Sequence, residues 1–184
     1  MELIKTAIEG CFLVQNIIYK DDRGSFFETY NKKKFDNLLG KPINFLQDNF
    51  SISQKGVLRG LHFQEKFPQG KLVSVLMGEI IDVAVDLRRD SKTFGSHFMT
   101  KLSDKNGMQL WLPEGLAHGF LAVSDYAHFY YKCTNLYNKD DEEGICWNDP
   151  DLEIQWPKNI DITLSKKDED AQSFNDFINK NMKK

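Results

Sequence analysis

Short apolar stretches, broken by frequent turn signals, run through most of the chain. The clearest spans residues 71–88, where two runs rich in β-branched residues flank Gly78. Beyond this glycine, apolar and other side chains alternate in the order Ile81, Asp82, Val83, Ala84, Val85, Asp86 and Leu87. Alternation with a period of two is typical of a half-buried strand. The pattern therefore predicts a hairpin with one face turned inward.

Further stretches have the length and the aromatic or β-branched content of strands. They cover residues 10–19, 26–30, 45–51, 108–112, 119–123 and 128–134. No internal repeat or low-complexity segment interrupts them. Short strands at this spacing predict a mostly β fold, either a sandwich or a barrel.

Two segments carry helix signals. Asn31 is a suitable N-cap for a short helix that ends at Gly40. Residues 165–168 read Ser-Lys-Lys-Asp, the S-x-x-D form of a capping box, and predict a helix near the end of the chain. The apolar positions of the first helix are Phe35, Leu38 and Leu39, and those of the second are Phe174, Phe177 and Ile178. The β region is therefore expected to end in a helical tail.

The composition of the 184-residue chain is that of an ordinary globular protein, with 41% hydrophobic and 28% charged residues, and its length suits one domain. A formal net charge of −3 argues against a nucleic-acid partner. Neither a signal peptide nor a membrane-spanning apolar run is evident, so we expect no membrane partner and a cytoplasmic location. Cys11, Cys133 and Cys146 lack the spacing of a zinc or redox motif and are interpreted as buried or bystander thiols.

The most informative local sequence is GVLRGLHFQ at 56–64, followed by QGK at 69–71. A histidine and a lysine this close together on strands of a barrel, His62 and Lys71, could share its mouth, where small ligands commonly bind. The alternative for His62 is a half-buried imidazole bonded to a backbone carbonyl. Both interpretations remain open from these residues alone.

A second motif, WLPEGLAHGF at 111–120, contains the P-x-G-x-x-H pattern of the second conserved motif of the cupin superfamily. The first cupin motif usually supplies H-x-H and an acid to a metal ion. Here the corresponding residues are His62, Phe63 and Gln64, so one imidazole is missing. Because transition-metal sites usually have at least three protein ligands, His62 and His118 alone predict no metal and no cofactor.

Eight sequence blocks, in order along nearly the whole chain, resemble those of the dTDP-4-dehydrorhamnose 3,5-epimerase family. They are DRG at 22–24, QDN at 47–49, GVLRGLHFQ at 56–64, QGKLV at 69–73, DVAVDLR at 82–88, QLWLPEGLAHGF at 109–120, WNDP at 147–150 and LSKKD at 164–168. The resemblance implies one cupin-type jelly-roll domain over 1–184, with a barrel core at about 45–135 and a helical tail at about 165–184. It also implies a role in rhamnose and polysaccharide biosynthesis.

The implied reaction inverts the carbons on both sides of a ketone, which requires a base, an acid on the opposite face and a stabiliser of the enolate oxygen. The resemblance assigns His62 as the base, Asp168 as the carboxylate that orients it, Lys71 as the stabiliser and Tyr131 as the acid. Each has a structural alternative. Asp168 would favour a helix N-terminus in any case, Lys71 could be a solvated strand lysine, and an aromatic such as Tyr131 is more often a core residue.

The resemblance also implies contacts to a nucleotide diphosphate sugar, with Tyr137 stacked on the base. The remaining residues are Arg23, Glu28, Gln47, Asp48, Asn49, Arg59, His118, Glu142 and Lys167. A guanidinium can bind a diphosphate through two hydrogen bonds, which explains how an acidic protein could hold an anion. Family members place the positions of Arg23 and Glu28 near the partner subunit's site, so a homodimer is implied.

Three alternatives remain. The protein could invert one carbon only, on another nucleotide 4-keto sugar. It could be a sugar-nucleotide-binding module without turnover, although binding alone does not require an acid and a base on opposite faces. It could also be a metal-dependent cupin oxygenase or isomerase, which the missing H-x-H disfavours.

Overall fold

The computed structural model describes residues 1–182, and the fold of this part is mostly β, as predicted. Its strands are β1 (Glu2–Lys5), β2 (Phe12–Gln15), β3 (Tyr19–Asp21), β4 (Gly24–Phe26), β5 (Gln47–Gln54), β6 (Leu58–Gln64), β7 (Lys71–Met77), β8 (Glu79–Asp86), β9 (His97–Ser103), β10 (Met108–Leu112), β11 (Leu116–Ala122), β12 (Tyr126–Cys133) and β13 (Glu142–Gly144). Its helices are α1 (Lys32–Leu39), α2 (Lys166–Glu169) and α3 (Phe174–Met182). None of these helices has the length and apolar character needed to cross a membrane.

Two antiparallel sheets form the body of the molecule. One has six strands in the order β1-β2-β10-β7-β12-β5, and the other has five in the order β13-β6-β11-β8-β9. Strands β3 and β4 form a separate two-stranded hairpin. Because most neighbouring strands in each sheet are not consecutive in the chain, residues far apart in sequence lie side by side.

The predicted hairpin around Gly78 is wrong, although both of its strands are present. Strand β7 pairs with β10 and β12, whereas β8 pairs with β9 and β11 in the other sheet. Gly78 has φ 84°, and a Cβ there would lie 2.1 Å from the carbonyl oxygen of Tyr126. Only glycine fits this position without strain, and the chain crosses there from one sheet to the other. Strand β8 is also buried almost throughout, and not on one face only.

Other strand predictions differ from the structure at their ends. The prediction for 108–112 matches β10, but the strand predicted over 26–30 ends at Phe26, and that over 10–19 is reduced to β2 and the first residue of β3. Strands β1, β9 and β13 had no counterpart in the prediction. Each lies at a sheet edge, where partial exposure weakens the apolar pattern.

Apolar side chains from both sheets fill the space between them. Val73 and Phe129 of the six-stranded sheet belong to one buried cluster with Ala84 and Phe120 of the five-stranded sheet. Part of the outer face of the six-stranded sheet is covered by α1, where Phe35 packs against Trp111 with ring centroids 5.4 Å apart.

The C-terminal part of the chain covers the outer face of the five-stranded sheet. Phe63 of β6 packs edge-to-face on Phe177 of α3, with ring centroids 5.4 Å apart. Leu61, Trp156 and Phe174 belong to the same buried cluster. This cluster fixes the tail beside the strand that carries His62.

The first predicted helix is confirmed. The side chain of Asn31 accepts a hydrogen bond from the backbone N–H of Lys34, and Gly40 ends the helix with φ 70°. The single helix predicted from the capping box at 165–168 is wrong, because α2 stops after one turn and α3 begins at Phe174. Between them, the carbonyl of Gln172 accepts a hydrogen bond from the backbone N–H of Cys146 (2.8 Å), which holds this linker extended.

Candidate active site

A cavity of about 210 Å³ opens between the two sheets. Five side chains that the sequence predicts for the site share it: Arg59, His62, Lys71, His118 and Tyr131. Its wall is completed by Ser51, Phe120 and Phe129, which the sequence analysis did not single out. Residues from β5, β6, β7, β11 and β12 thus converge on one small, partly apolar space, as expected for a small-molecule site.

Two glycines bring β6 and β11 together beside this cavity. A Cβ on Gly60 would lie 2.5 Å from the Cα of Gly119, and Gly60 has φ 129°. A Cβ on Gly119 would in turn lie 2.8 Å from the carbonyl oxygen of Arg59. This close approach places His62 directly opposite His118 on the two strands. The glycines in GLHF and AHGF are therefore explained by the packing of the strands at the site.

His62 is held by a carboxylate from the C-terminal tail. Its Nε2 lies 2.5 Å from Oδ1 of Asp168 on α2, whose side chain is almost fully buried. The Ser165 hydroxyl donates to the other oxygen, Oδ2, at 2.9 Å and accepts from the Asp168 N–H at 3.2 Å. Burial raises the pKa of Asp168, but these hydrogen bonds and the nearby imidazole outweigh it and lower the pKa below 3.8. Asp168 thus lies in the first turn of α2 and also orients the imidazole of His62.

A second carboxylate faces the other side of the His62 ring. Oε1 of Glu142 lies 4.0 Å from Nδ1 of His62, while Oε2 accepts a hydrogen bond from the Tyr137 hydroxyl at 2.7 Å and pairs with the Lys167 ammonium. Burial raises the pKa of Glu142, and the contacts with Lys167 and Tyr137 lower it further than burial raises it. The Tyr137 backbone N–H donates to Oε1 of Gln47 at 2.7 Å. These residues form a polar rim around the cavity.

Lys71 and Tyr131 lie in the cavity on the six-stranded sheet. Burial lowers the pKa of the Lys71 ammonium, although Cys133, Glu142 and Asp82 act in the opposite direction. Burial also raises the pKa of the Tyr131 phenol to about 12. The phenol is therefore protonated at neutral pH and can act as a proton donor, and the ammonium is poorly solvated, which strengthens its attraction to a developing anion.

His118 forms the second histidine–carboxylate pair of the site. Its Nε2 lies 3.0 and 3.1 Å from the two oxygens of Asp82, which is fully buried. The imidazole also stacks on Phe129, with ring centroids 5.9 Å apart. Asp82 was not among the predicted site residues. The signal for it was available, since a carboxylate inside an otherwise apolar strand needs a partner.

Of the ten predicted binding residues, Arg59 and His118 line this cavity, and three of the other eight lie away from it. Side chains alternate along β5, so that Gln47 and Asn49 turn inward, whereas Asp48 turns to the outer face and pairs with Lys132 at 2.8 Å. Arg23 lies in the turn of the β3–β4 hairpin and pairs with Asp21, and Glu28 pairs with Lys34 at 2.8 Å. Within one chain, these three residues are therefore separated from the convergent group.

The arrangement does not fit the donor set of a metal-dependent cupin. Across residues 1–182, no group of three or more His, Cys, Asp or Glu side chains is placed to hold a metal ion. The two imidazoles of the cavity, His62 and His118, are each engaged with a different carboxylate. The chemistry that this site can support directly is proton transfer beside the buried amino group of Lys71.

The match to known proteins covers nearly the whole chain. A family model described as dTDP-4-dehydrorhamnose 3,5-epimerase matches residues 5–176. The chain belongs to this family. It is 47% identical over 176 residues to the dTDP-4-dehydrorhamnose 3,5-epimerase of Pseudomonas aeruginosa, covering 96% of this chain and 97% of the relative. It is 50% identical over 167 residues to that of Methanothermobacter thermautotrophicus, covering 90% of each.

A solved structure of the same family shows the likeness in three dimensions. The dTDP-6-deoxy-D-glucose-3,5-epimerase of Legionella pneumophila, crystallised with dTDP-4-keto-L-rhamnose, superimposes with a TM-score of 0.92 at 48% identity. The match covers 95% of this chain and 93% of that one. The predicted cupin-type barrel is therefore confirmed, and with it the membership of the family that the sequence blocks indicated.

Proposed function

We propose that the protein is an isomerase that epimerises a dTDP-4-keto-6-deoxyhexose at carbons 3 and 5, converting dTDP-4-dehydro-6-deoxyglucose to dTDP-4-dehydrorhamnose. The names of its relatives support this reaction. The observation that carries the proposal is the convergence of His62, Lys71 and Tyr131 on one cavity, with Asp168 fixing the imidazole. A base, a charge stabiliser and an acid are the groups that inversion beside a ketone needs.

His62 acts as the base through Nδ1. When Nε2–H donates to Asp168, the lone pair of the ring is on Nδ1, which is free to accept the proton from carbon 3 or carbon 5. The imidazolium that forms is stabilised by Asp168 on one side and by Glu142, 4.0 Å away, on the other. An imidazole between two carboxylates is well suited to gain a proton without leaving its place.

Lys71 and Tyr131 complete each inversion. As the carbon loses its proton, negative charge moves to the ketone oxygen, where the poorly solvated Lys71 ammonium stabilises the enolate. The Tyr131 phenol then donates a proton to the opposite face of the same carbon, and the resulting phenolate and imidazolium are reset by proton exchange with solvent. Burial raises the pKa of this phenol to about 12 and so makes its phenolate a strong base. The phenolate therefore readily takes up a proton from solvent after each inversion.

The nucleotide half is assigned to the polar rim and the open side of the cavity. Arg59 is a suitable partner for the diphosphate because its guanidinium can donate two parallel hydrogen bonds. Gln47, Asn49, His118, Glu142 and Lys167 are the other proposed contacts, with Tyr137 stacked on the base. Tyr137 is half exposed at the rim, which is compatible with a ring that a flat base covers.

The decisive experiment measures deuterium uptake. The purified protein, incubated with the 4-keto sugar nucleotide in heavy water, is expected to incorporate deuterium at carbons 3 and 5. His62→Ala should reduce the rate by at least about 10² and preserve the fold, because a positioned base typically contributes that much. His97→Ala, a histidine of β9 outside the cavity, is the matched control. Exchange by His62→Ala at close to the wild-type rate would show that His62 is not the base.

The same experiment separates the alternatives. Deuterium at one carbon only identifies a single-carbon epimerase, whose sugar would then have to be determined. Binding of the sugar nucleotide in calorimetry, without exchange at either carbon, identifies a binding module. The sequence similarity to relatives named 3,5-epimerases extends over nearly the whole chain, which favours inversion at both carbons.

We further propose a cytoplasmic homodimer in which the β3–β4 hairpin of one copy lies beside the partner's cavity. The hairpin carries Arg23 and two strongly exposed aromatic side chains, Tyr19 (61%) and Phe26 (71%), which favours a covering partner. The outer face of the six-stranded sheet also exposes Phe50 and Ile52. Light scattering on the purified protein should give twice the mass of the 21.4 kDa chain. A monomer that is fully active would contradict this assembly.

A further inference from the structure

One wall of the cavity holds a hydroxyl that nothing in the protein satisfies. Ser51 Oγ is inaccessible to solvent and has no hydrogen-bond partner within residues 1–182. In this part of the chain, only one other buried polar side-chain atom, Oδ1 of Asn16, lacks a hydrogen-bond partner. The amide nitrogen of Asn16 does donate a hydrogen bond to Gln109. Ser51 therefore stands out, because a buried hydroxyl without a partner loses its hydrogen bonds to water and gains none in return.

The inward face of β5 makes the exception clearer. Gln47 Nε2 donates to Asn49 Oδ1 at 2.9 Å, and the Asn49 amide contacts the Cys133 sulfur at 3.6 Å. Farther along the strand, the Ser53 hydroxyl accepts from Nε of Arg59 at 3.1 Å. Of these four side chains at alternate positions, three have a partner and Ser51 has none. Ser51 is also the one of the four that lines the cavity.

The position of Ser51 indicates which part of a ligand would reach it. It lies on the cavity wall with His62, Lys71 and Tyr131, the groups assigned to the sugar chemistry. Its strand neighbour across the sheet is Phe129, which lines the same space. Of the proposed contacts to the nucleotide, Tyr137, Glu142 and Lys167 lie together at the rim. Arg59 and His118 line the cavity with Ser51, so the position of Ser51 favours the sugar and the test must separate the two halves of the ligand. A hydroxyl can both donate and accept, which matches the oxygens of a hexose.

We infer that Ser51 is a substrate-binding residue whose Oγ hydrogen-bonds an oxygen of the hexose, so that the unpaired hydroxyl of the free protein is satisfied when the sugar binds. This inference rests on the proposed function, since it names a further contact in the same site. The hydrogen bond joins uncharged groups, so its strength does not change as negative charge develops on the ketone oxygen. It should therefore strengthen binding of the substrate and of the transition state to a similar degree.

The test compares two serine variants of the same sheet. Ser51→Ala removes a hydroxyl without a protein partner, whereas Ser74→Ala on β7 removes one that accepts from Gln109 Nε2 at 2.5 Å, away from the cavity. For Ser51→Ala we expect KM to rise about tenfold, the equivalent of one lost hydrogen bond, with kcat within about twofold and Tm unchanged or higher. For Ser74→Ala we expect the reverse, a lower Tm with KM unchanged. An unchanged KM in Ser51→Ala would overturn the inference.

Calorimetry identifies the part of the ligand that is contacted. The probes are dTDP-rhamnose, which has no ketone and is not turned over, and dTDP alone. Ser51→Ala should weaken dTDP-rhamnose about tenfold and leave dTDP within about twofold. Equal weakening of both probes would assign Ser51 to the nucleotide and overturn the inference. If the wild-type protein exchanged no deuterium, the proposed function would fail, and a selective loss of dTDP-rhamnose affinity would then still support the sugar contact.

Discussion

The two histidine–aspartate pairs of the cavity are built in different ways. His118 and Asp82 come from neighbouring strands of one sheet, and both side chains are buried, with exposures of 7% and 0%. His62 also lies on that sheet, but its partner Asp168 lies 106 residues away on a one-turn helix of the tail, and the imidazole keeps 27% of its exposure. The first pair is part of the sheet, and the second is assembled by docking the tail on it.

Under the proposed function, this difference separates a pair that shapes the cavity wall from the pair that takes part in the reaction. Both oxygens of the buried Asp82 carboxylate contact Nε2 of His118, which fixes the imidazole as part of the cavity wall. The partly exposed His62 can meet a substrate, and its carboxylate holds the ring without closing access to it. We therefore expect changes to Asp168 to affect turnover first, and changes to Asp82 to affect stability first.

The largest effect is expected for Asp168→Asn. The substitution removes the charge that stabilises the imidazolium and no longer fixes the tautomer of His62, so kcat should fall on the order of 10³-fold. The free energy of unfolding should change much less. Steady-state kinetics and urea denaturation measure the two effects on the same preparation. A kcat within threefold of the wild-type value would contradict the role of Asp168.

The next effect in size is the loss of stability in Asp82→Ala. The variant leaves the buried Nε2 of His118 without its partner, so the free energy of unfolding should fall by about 2–3 kcal/mol. Its kcat should be reduced far less than that of Asp168→Asn. If Asp82→Ala instead lost turnover and kept its stability in urea, the contrast between the two pairs would have to be reversed.

Asp86, four residues beyond Asp82 on β8, serves as a reference because it pairs with arginine and not with histidine. Burial raises its pKa, but hydrogen bonds from Arg88, Ser91 and Thr93 lower it from 3.8 to about 2. The folded state thus favours the carboxylate, and this stabilisation is complete above about pH 4 and is lost as the pH falls through 2. The Tm difference between wild type and Asp86→Asn should therefore be constant from pH 5 to 7 and shrink below about pH 4. Scanning calorimetry measures this Tm difference. If the difference did not change with pH, the ion pair between Asp86 and Arg88 would not be its cause.

The smallest effect is expected for Ser165, which positions Asp168. Ser165→Ala removes one hydrogen bond to the carboxylate and the N-cap of α2, contacts worth about 1 kcal/mol each, so kcat should fall about five- to tenfold. Ser165→Thr keeps both contacts and should restore most of the rate. The pH profile of kcat should shift in Ser165→Ala and not in Ser165→Thr. Identical profiles and rates in both variants would limit Ser165 to helix capping.

Local patterns predicted the strands better than their partners. The sequence identified both strands around Gly78, yet nothing in a run of alternating residues shows that β7 and β8 enter different sheets. That outcome depends on contacts with strands far along the chain. Similarly, the capping box at 165–168 correctly marked a helix start, but the extended linker at Gln172 is held by the backbone of Cys146, which a local pattern cannot reveal.

The candidate site was predictable to a different degree. The motifs around His62 and His118 identified residues that do meet in one cavity. Period-two alternation along β5 would also have separated Asp48 from Gln47 and Asn49, had it been applied to that strand. Ser51 could not be found in this way, because its distinguishing property is the lack of a partner among side chains brought together by folding.

The attachment of α2 and α3 has a consequence for how the protein would lose its activity. Residues 165–180 are held to the rest of the protein by packing such as Phe177 on Phe63 and by polar contacts such as that of Lys180 with Glu143. Local segments of this kind can open without global unfolding. Such an opening would leave both sheets intact and still withdraw Asp168 from His62. We therefore expect detachment of the tail to set the working temperature limit, and amide hydrogen exchange in this segment should report the onset of inactivation before the strands exchange.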